Sequence, residues 1–262
     1  APVITPLATT KNQTPTISGT APANSTVTLT IGTGAPVTVT TDANGNWNYT
    51  PTTPLTQGTY VISATATDLY GNISLVSAPT NLVIDTTAPS KPTITGIGPD
   101  NGVSSTDKIT DTNVLTIAGT AEANSLITVY DNGTKIGTTT TDANGVWTFT
   151  TAALTDGSNR FSANATDSAG NKSVNADSYT MVIDASAPTA PVINSLPSPI
   201  GDNTPTISGT GEPGAVVTIN ANGSPIGTAV VDANGNWSFT PTTPISDGTT
   251  AFTATQKDTA GN

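Results

Sequence analysis

The sequence contains no cysteine and no histidine. Without thiols or imidazoles, the chain cannot form disulfides, a Ser-His-Asp triad, a cysteine nucleophile or an ordinary zinc site. Basic residues are scarce as well, because there are seven Lys and Arg against 18 Asp and Glu, and the formal net charge is −11. Such a chain repels phosphate backbones, so we expect no nucleic acid partner. No apolar run approaches the roughly 18 residues of a membrane-spanning helix, so we expect no membrane insertion.

Three copies of one sequence unit make up the chain. The tryptophans at 47, 147 and 237 are 100 and 90 residues apart, and a T-I-[SA]-G-T segment recurs at the same two spacings. Short segments containing proline separate the copies at residues 84–89 and 183–188, and proline makes such connections stiff. The third copy lacks the segment that would match residues 73–85, and with it the last strand. The sequence therefore predicts three units: residues 1–86, residues 87–185 and residues 186–262.

The apolar residues within each unit alternate with polar ones. Val27, Leu29 and Ile31, for example, are separated by threonines. A period of two predicts strands, and Gly, Pro, Asn and Asp turns divide each complete unit into seven of them. The sequence therefore predicts an all-β fold, a tandem array of three immunoglobulin-like β-sandwich domains that form an elongated rod. One tryptophan per unit at a fixed position is expected to fill each core.

Tracing the chain through seven alternating strands places acidic residues at the junctions between units. The second, fourth and sixth turns of a unit should lie at the end that faces the preceding unit, where the last strand of that unit also ends. We call the junction of units one and two the first joint, and that of units two and three the second joint. The carboxylates expected there are Asp85, Glu122 and Asp167 at the first joint, and Asp184, Glu212 and Asp258 at the second.

The glutamates support a cation site at each joint. Glu122 and Glu212 are the only glutamates in the sequence, and they lie 90 residues apart at equivalent positions. Converging carboxylates repel one another unless they are protonated or bridged by a cation, and Ca²⁺ accepts oxygen ligands in an adaptable geometry. The sequence therefore predicts Ca²⁺ at the two joints. Unit one has Pro22 at the glutamate position, which argues against a complete site at its own N-terminal end.

Turn chemistry is the alternative for some of these aspartates. An Asp that opens a tight turn binds backbone amides without any metal, so both roles stay open for the first residue of each D-x-x-G-N motif. In the D-A-N-G motifs the Asn-Gly pair is a strong hairpin signal, and we interpret their aspartates as turn residues. The D-x-x-G-N aspartates are Asp68, Asp167 and Asp258, and the D-A-N-G aspartates are Asp42, Asp142 and Asp232.

Unit two has an additional segment of acidic character at residues 98–113. Asp100, Asp107 and Asp111 can surround a second kind of cation within the domain, with Asn101 or backbone carbonyls completing the ligand set. A plain exposed loop is the alternative.

The order of four motifs resembles a known family. T-x-x-G-T-A-E, D-A-N-G-x-W, A-T-D-x-x-G-N and V-I-D-x-x-A-P follow one another along the chain, as in the bacterial Ig-like repeats of giant non-fimbrial adhesins exported by type 1 secretion. The resemblance implies a secreted protein of the bacterial cell surface that acts in cell adhesion and virulence. It also implies a long rod stiffened by calcium between domains, with Asp85, Asp167, Asp184 and Asp258 as the best-supported ligands and Glu122 and Glu212 next.

The expected partners are the neighbouring repeats of the same chain, in a monomer. Host-cell glycans or receptors would be bound through other parts of the full-length protein. The alternative is that this segment is itself a glycan- or receptor-binding module, for which Tyr70 and Tyr130 are the candidate aromatic residues because they are not repeated in the other units. We expect no enzyme, because a glycosidase needs one pair of acids in a cleft rather than the same acids at every joint.

Overall fold

The computed structural model describes all 262 residues, and every regular element in it is a β-strand. None of its elements is a helix long and apolar enough to cross a membrane. Each of the three sequence units forms two facing sheets with its own buried core. The structure therefore confirms the predicted all-β, tandem sandwich fold.

Unit one has a three-stranded sheet in the order β1-β2-β5 and a four-stranded sheet in the order β4-β3-β6-β7. All the strand pairs in these sheets are antiparallel. The strands are β1 (Val3–Ile4), β2 (Ile17–Thr20), β3 (Thr26–Ile31), β4 (Val37–Thr40), β5 (Asn46–Tyr49), β6 (Gly58–Thr67) and β7 (Thr80–Ile84).

Unit two repeats this arrangement, and it has a short strand, β9, where unit one has a single parallel bridge between Thr10 and Ile84. The orders are β13-β10-β8 and β12-β11-β14-β15-β9, and β9 pairs parallel to β15. The strands are β8 (Thr93–Gly98), β9 (Ile109–Thr110), β10 (Thr116–Thr120), β11 (Leu126–Asp131), β12 (Thr134–Thr140), β13 (Val146–Thr150), β14 (Gly157–Thr166) and β15 (Tyr179–Ile183).

Unit three has two three-stranded sheets, ordered β16-β17-β20 and β19-β18-β21. No strand occupies the position that β7 and β15 fill in the other units. The sixth strand is shorter as a result, because β21 begins at Phe252 whereas β6 and β14 begin at the equivalent glycines. The strands are β16 (Val192–Ile193), β17 (Ile207–Thr210), β18 (Val216–Ala221), β19 (Ser224–Val230), β20 (Asn236–Phe239) and β21 (Phe252–Lys257).

The period-two pattern places every second side chain in the core. Val27 and Leu29 on β3 are fully buried opposite Ala66 and Ala64 of β6. The tryptophan of each unit is buried, as predicted. It packs against a glycine of the neighbouring strand in the same sheet, such as Gly119 against Trp147, where an added Cβ would overlap the indole ring.

Candidate functional site

The first joint is closed by a hydrogen bond between units. Asp85 follows β7 and donates its N–H to the Thr10 carbonyl of its own unit at 3.0 Å. Its own backbone carbonyl accepts the side-chain amide of Asn171, in the sixth turn of unit two, at 2.8 Å. Asn171 is only 8% exposed. The end of the last strand of unit one is therefore tied to the turn that follows β14.

The second joint repeats this contact. Asp184 follows β15, and its backbone carbonyl accepts the side-chain amide of Asn262 at 2.6 Å. Its N–H donates to Thr110 at 2.9 Å, as the N–H of Asp85 does to Thr10. At both joints, the asparagine that ends the D-x-x-G-N motif therefore donates a hydrogen bond to the preceding unit.

The aspartate of the motif holds this asparagine in place. The carboxylate of Asp167 accepts the backbone N–H of Asn171 at 2.8 Å and its side-chain amide at 2.9 Å, one on each oxygen. Partial burial raises the pKa of Asp167, but the hydrogen bonds from Asn171 outweigh it and leave the pKa below its ordinary value. Asp258 binds Asn262 in the same way and is buried. These aspartates are turn residues in this structure.

Unit one contains the same turn, formed by contacts within the unit. Asp68 accepts the backbone N–H of Asn72 at 2.9 Å and its side-chain amide at 2.8 Å. Those hydrogen bonds hold the pKa of Asp68 below its ordinary value. The turn is thus formed locally, and the asparagine is oriented before any neighbouring unit binds it.

The third position of the motif is buried at both joints. Ala169 is 9% exposed and Ala260 is fully buried, whereas the equivalent Tyr70 of unit one is 91% exposed. The backbone of unit one passes close to Ala169, whose carbonyl accepts the Lys11 N–H at 3.2 Å. At the second joint an added Cβ on Gly102 would fall 2.8 Å from the Ala260 carbonyl carbon. A small residue at this position lets two backbones approach.

Glu122 and Asp85 line the same surface depression, together with Gln57 of unit one and Ala88 at the start of unit two. Glu122 therefore lies at the end of unit two that faces unit one. Asp85 Oδ1 accepts the N–H of Thr87 at 3.0 Å, while its second oxygen and the Glu122 carboxylate accept no hydrogen bond from the protein.

The six joint carboxylates do not form an assembled cation site. No group of three or more acidic side chains lies close enough together to hold a metal ion. The oxygens at the joints are of the type that Ca²⁺ prefers, namely carboxylates and backbone carbonyls. The donor types therefore fit Ca²⁺, but the side chains would have to turn towards a bound ion.

The additional segment of unit two is held together by its own side chains. Asp100 Oδ2 accepts the Lys108 N–H at 3.2 Å, and its Oδ1 is buried without a partner. Asn101 is bound by the Thr110 hydroxyl. Asp107 is exposed and accepts only the N–H of the residue two positions on, at 3.1 Å. These acids are not gathered around a common point.

The D-A-N-G motifs form turns, as predicted. Asp42 accepts the backbone N–H groups of Asn44 and Asn46 at 2.9 Å and 2.8 Å. The hydrogen bonds from Asn46 hold the pKa of Asp42 below its ordinary value. Asp142 and Asp232 make the same pair of contacts.

Sequence reasoning missed the donors at the joints. Lys11, Asn171 and Asn262 were not predicted to donate hydrogen bonds between units, because only the acidic residues of the motifs were considered as joint residues. A usable signal was present, since an asparagine closes every D-x-x-G-N motif.

These features define a tandem β-sandwich protein whose units are joined end to end. The chain belongs to the bacterial Ig-like domains: the family described as "Bacterial Ig-like domain" matches residues 8–86 and 88–185, and the one described as "Bacterial Ig domain" matches residues 187–262. No protein of curated function matches the sequence.

Several solved structures are similar to the chain. A tetra-tandem repeat in the extending region of a large adhesion protein is 25% identical over 100% of this chain and 72% of that chain, with a TM-score of 0.34. A 1.5-MDa bacterial ice-binding adhesin is 23% identical over 99% and 96%, with a TM-score of 0.39. Fibronectin(III)-like modules of Clostridium thermocellum CbhA are 19% identical over 70% and 92%, with a TM-score of 0.43. With TM-scores this low, these are likenesses only.

Proposed function

We propose that the chain is a structural stalk segment of a bacterial surface adhesin, whose function is mechanical reach rather than catalysis. The observation that carries this proposal is the hydrogen bond from Asn171 to Asp85 and its repetition from Asn262 to Asp184. Two joints with the same contact give successive units a reproducible arrangement, as a rod requires. Family membership supports the same conclusion.

The dimensions of the units suit such a role. At roughly 3.3 Å per residue, the ten-residue strands β6 and β14 span about 30 Å, and three units in a row reach on the order of 100 Å. Each sandwich has a hydrophobic core of its own, so the protein becomes longer by adding units rather than by enlarging one unit. A protein built in this way can hold a binding region away from the cell.

Calcium at the joints is the finer part of the proposal. Asp85, Glu122 and Asp167 would supply ligands at the first joint, and Asp184, Glu212 and Asp258 at the second. Bound ions would neutralise the repulsion between these carboxylates and restrict motion between the units. The acids of residues 98–113, namely Asp100, Asp107 and Asp111, are proposed as a further cation site of unit two.

Small-angle X-ray scattering tests the stalk and the calcium separately. We expect an elongated particle whose maximum dimension is longer and less variable with millimolar calcium than with excess EGTA, together with a higher melting temperature. A compact particle in both buffers would contradict the stalk. An elongated particle with identical profiles in both buffers would leave the stalk intact and contradict the role of calcium.

The narrower assignment follows from the motif order. We propose that the parent protein is secreted by a type 1 system, stays at the cell surface and contributes to virulence, like the Salmonella adhesin SiiE that the motifs resemble. Surface retention of the protein in a strain with and without a type 1 export apparatus tests this assignment.

A binding module is the second candidate, and one observation favours it. Tyr70 is 91% exposed and lies next to Leu69, which is 81% exposed. Exposed aromatic and apolar side chains of this kind are common in binding surfaces. A glycan array probed with the chain and with Tyr70→Ala tests it, and a reproducible hit that the variant loses would establish binding by unit one.

A further inference from the structure

The two joints differ at one equivalent position. In units one and two, a threonine carbonyl pairs with the N–H of the aspartate that ends the last strand, at 3.0 Å for Thr10 and 2.9 Å for Thr110. These threonines are therefore equivalent, and so are the residues that follow them, Lys11 and Asp111. The first joint has an ammonium where the second has a carboxylate.

Lys11 binds the turn of unit two through both its backbone and its side chain. Its N–H donates to the carbonyl of Ala169 at 3.2 Å, and its Nζ donates to the carbonyl of Gly170 at 2.6 Å. The side-chain stem lies over Gly170, with Cε 3.7 Å from the place where a Cβ would be. Lys11 forms no ion pair within 4.0 Å, so its ammonium contacts unit two through the Gly170 carbonyl. A backbone carbonyl is also an oxygen that a divalent cation would use.

The second joint has no such group. Asp111 Oδ1 accepts the Thr112 hydroxyl at 3.0 Å, and its Oδ2 points towards Gly261 of unit three, 3.8 Å from the place of a Cβ. Asp111 therefore adds a carboxylate to the joint at which Asn262 contacts both Asp184 and Asp258. None of these aspartates has a Lys or Arg nitrogen within 4.0 Å.

We propose that Lys11 is a built-in cation of the first joint, which holds units one and two in a fixed arrangement without a divalent ion. The second joint, with Asp111 at that position, depends on a divalent ion for the same rigidity. The statement about the second joint rests on the proposed function, whereas the role of Lys11 rests on its contacts to Ala169 and Gly170. Calcium can bind at both joints, but only the second joint loses its fixed arrangement when the ion is removed.

Pulsed EPR distance measurements can examine each joint by itself. The chain has no cysteine, so Thr38→Cys, Thr138→Cys and Thr228→Cys place spin labels only at these equivalent exposed positions of β4, β12 and β19. The pair at 38 and 138 reports on the first joint, and the pair at 138 and 228 on the second. We expect a narrow distribution for the first joint in calcium and in EGTA, and for the second joint in calcium only.

Exchanging the two side chains tests the cause. Lys11→Asp should broaden the first-joint distribution in EGTA, and calcium should narrow it again. Asp111→Lys should make the second joint narrow in EGTA. Lys11→Met, which keeps the stem but removes the charge and the contact to Gly170, should broaden the first joint in EGTA even if the aspartate variant folds poorly. Lys135→Asp, an exposed position on β12, is the control for net charge and should leave the first joint unchanged.

The outcomes separate this inference from the calcium proposal. The role of Lys11 would be overturned if the first-joint distance distribution of the unmodified chain broadened in EGTA. It would also be overturned if that distribution stayed narrow in EGTA in both Lys11→Asp and Lys11→Met. If the second-joint distance distribution is the same with and without calcium while Lys11→Asp broadens the first-joint distribution, Lys11 keeps its role and the calcium proposal fails.

Discussion

The side-chain amide of Asn171 lies 2.8 Å from the backbone carbonyl oxygen of Asp85 and joins unit two to unit one. The amide is held for this contact by Asp167, which accepts a second hydrogen bond from it. One asparagine thus completes a turn in its own domain and fixes the position of the preceding domain.

Asn171→Ala should loosen the first joint. The variant removes the only side-chain donor to the Asp85 carbonyl, and the loss of one hydrogen bond of this type costs about 1 kcal/mol. We expect a broader distance distribution between labels at 38 and 138 in EGTA. Asn72→Ala is the matched control, because it removes the same contact within a turn, to Asp68, but none across a joint. Equal broadening in both variants would contradict the assignment.

Ala169→Tyr should open the first joint for steric reasons. The side chain of Ala169 is buried where the backbone of Lys11 passes, so a tyrosine there has no room unless the units separate. Scattering should show a larger spread of particle dimensions, with the folded units intact by circular dichroism. The reverse change at the equivalent position, Tyr70→Ala, should alter neither, since Tyr70 is exposed.

The fold was accessible from the sequence for a simple reason. Apolar residues such as Val27 and Leu29 alternate with polar ones, which indicates the buried face of the strand. Three copies of the pattern fix how the units align with one another. Strand direction alone also predicts that Glu122 and Asp85 lie at the ends of their units that face each other. Side-chain hydrogen bonding did not follow, because an Asp in a turn binds either a metal or an amide with the same oxygens. Only the structure shows that Asn171 occupies both oxygens of Asp167.

Acid should weaken unit two through Asp167. Its pKa is lowered in the folded chain, so it contributes stability that is present above the unfolded-state pKa of about 3.9 and is lost as the pH falls through the folded value. We expect the urea concentration at the unfolding midpoint, reported by Trp147 fluorescence, to decrease once the pH is below about 4. The decrease should be less steep in Asp167→Asn. The other tryptophans are changed to Phe for this measurement. Asp68→Asn should leave the Trp147 curve unchanged, because it acts in unit one.

Unit three should be the least stable of the three. Its core contains six buried residues, compared with ten in unit one and twelve in unit two, because no last strand covers β21. Hydrogen exchange should be fastest in β18 when it is compared with the equivalent β3 and β11. Equal protection of these three strands would show that the missing strand contributes little to the stability of the sandwich.

Glu212→Gln should weaken calcium binding at the second joint. The change keeps the size of the side chain but removes a charge from a group of carboxylates, and charge count sets calcium affinity. Titration calorimetry should show a lower affinity or the loss of one site. Asp232→Asn is the control for charge, because Asp232 already binds the backbone of its own hairpin.

The position of each last strand has a consequence for the order of events during folding. The first residues of β6 and β14 pair with β7 and β15. Each of these last strands is followed directly by the aspartate whose carbonyl the next unit binds. Finishing one domain and presenting its attachment point are the same step, so a rod emerging from the N-terminus would be assembled in sequence, with each completed domain offering a template for the next.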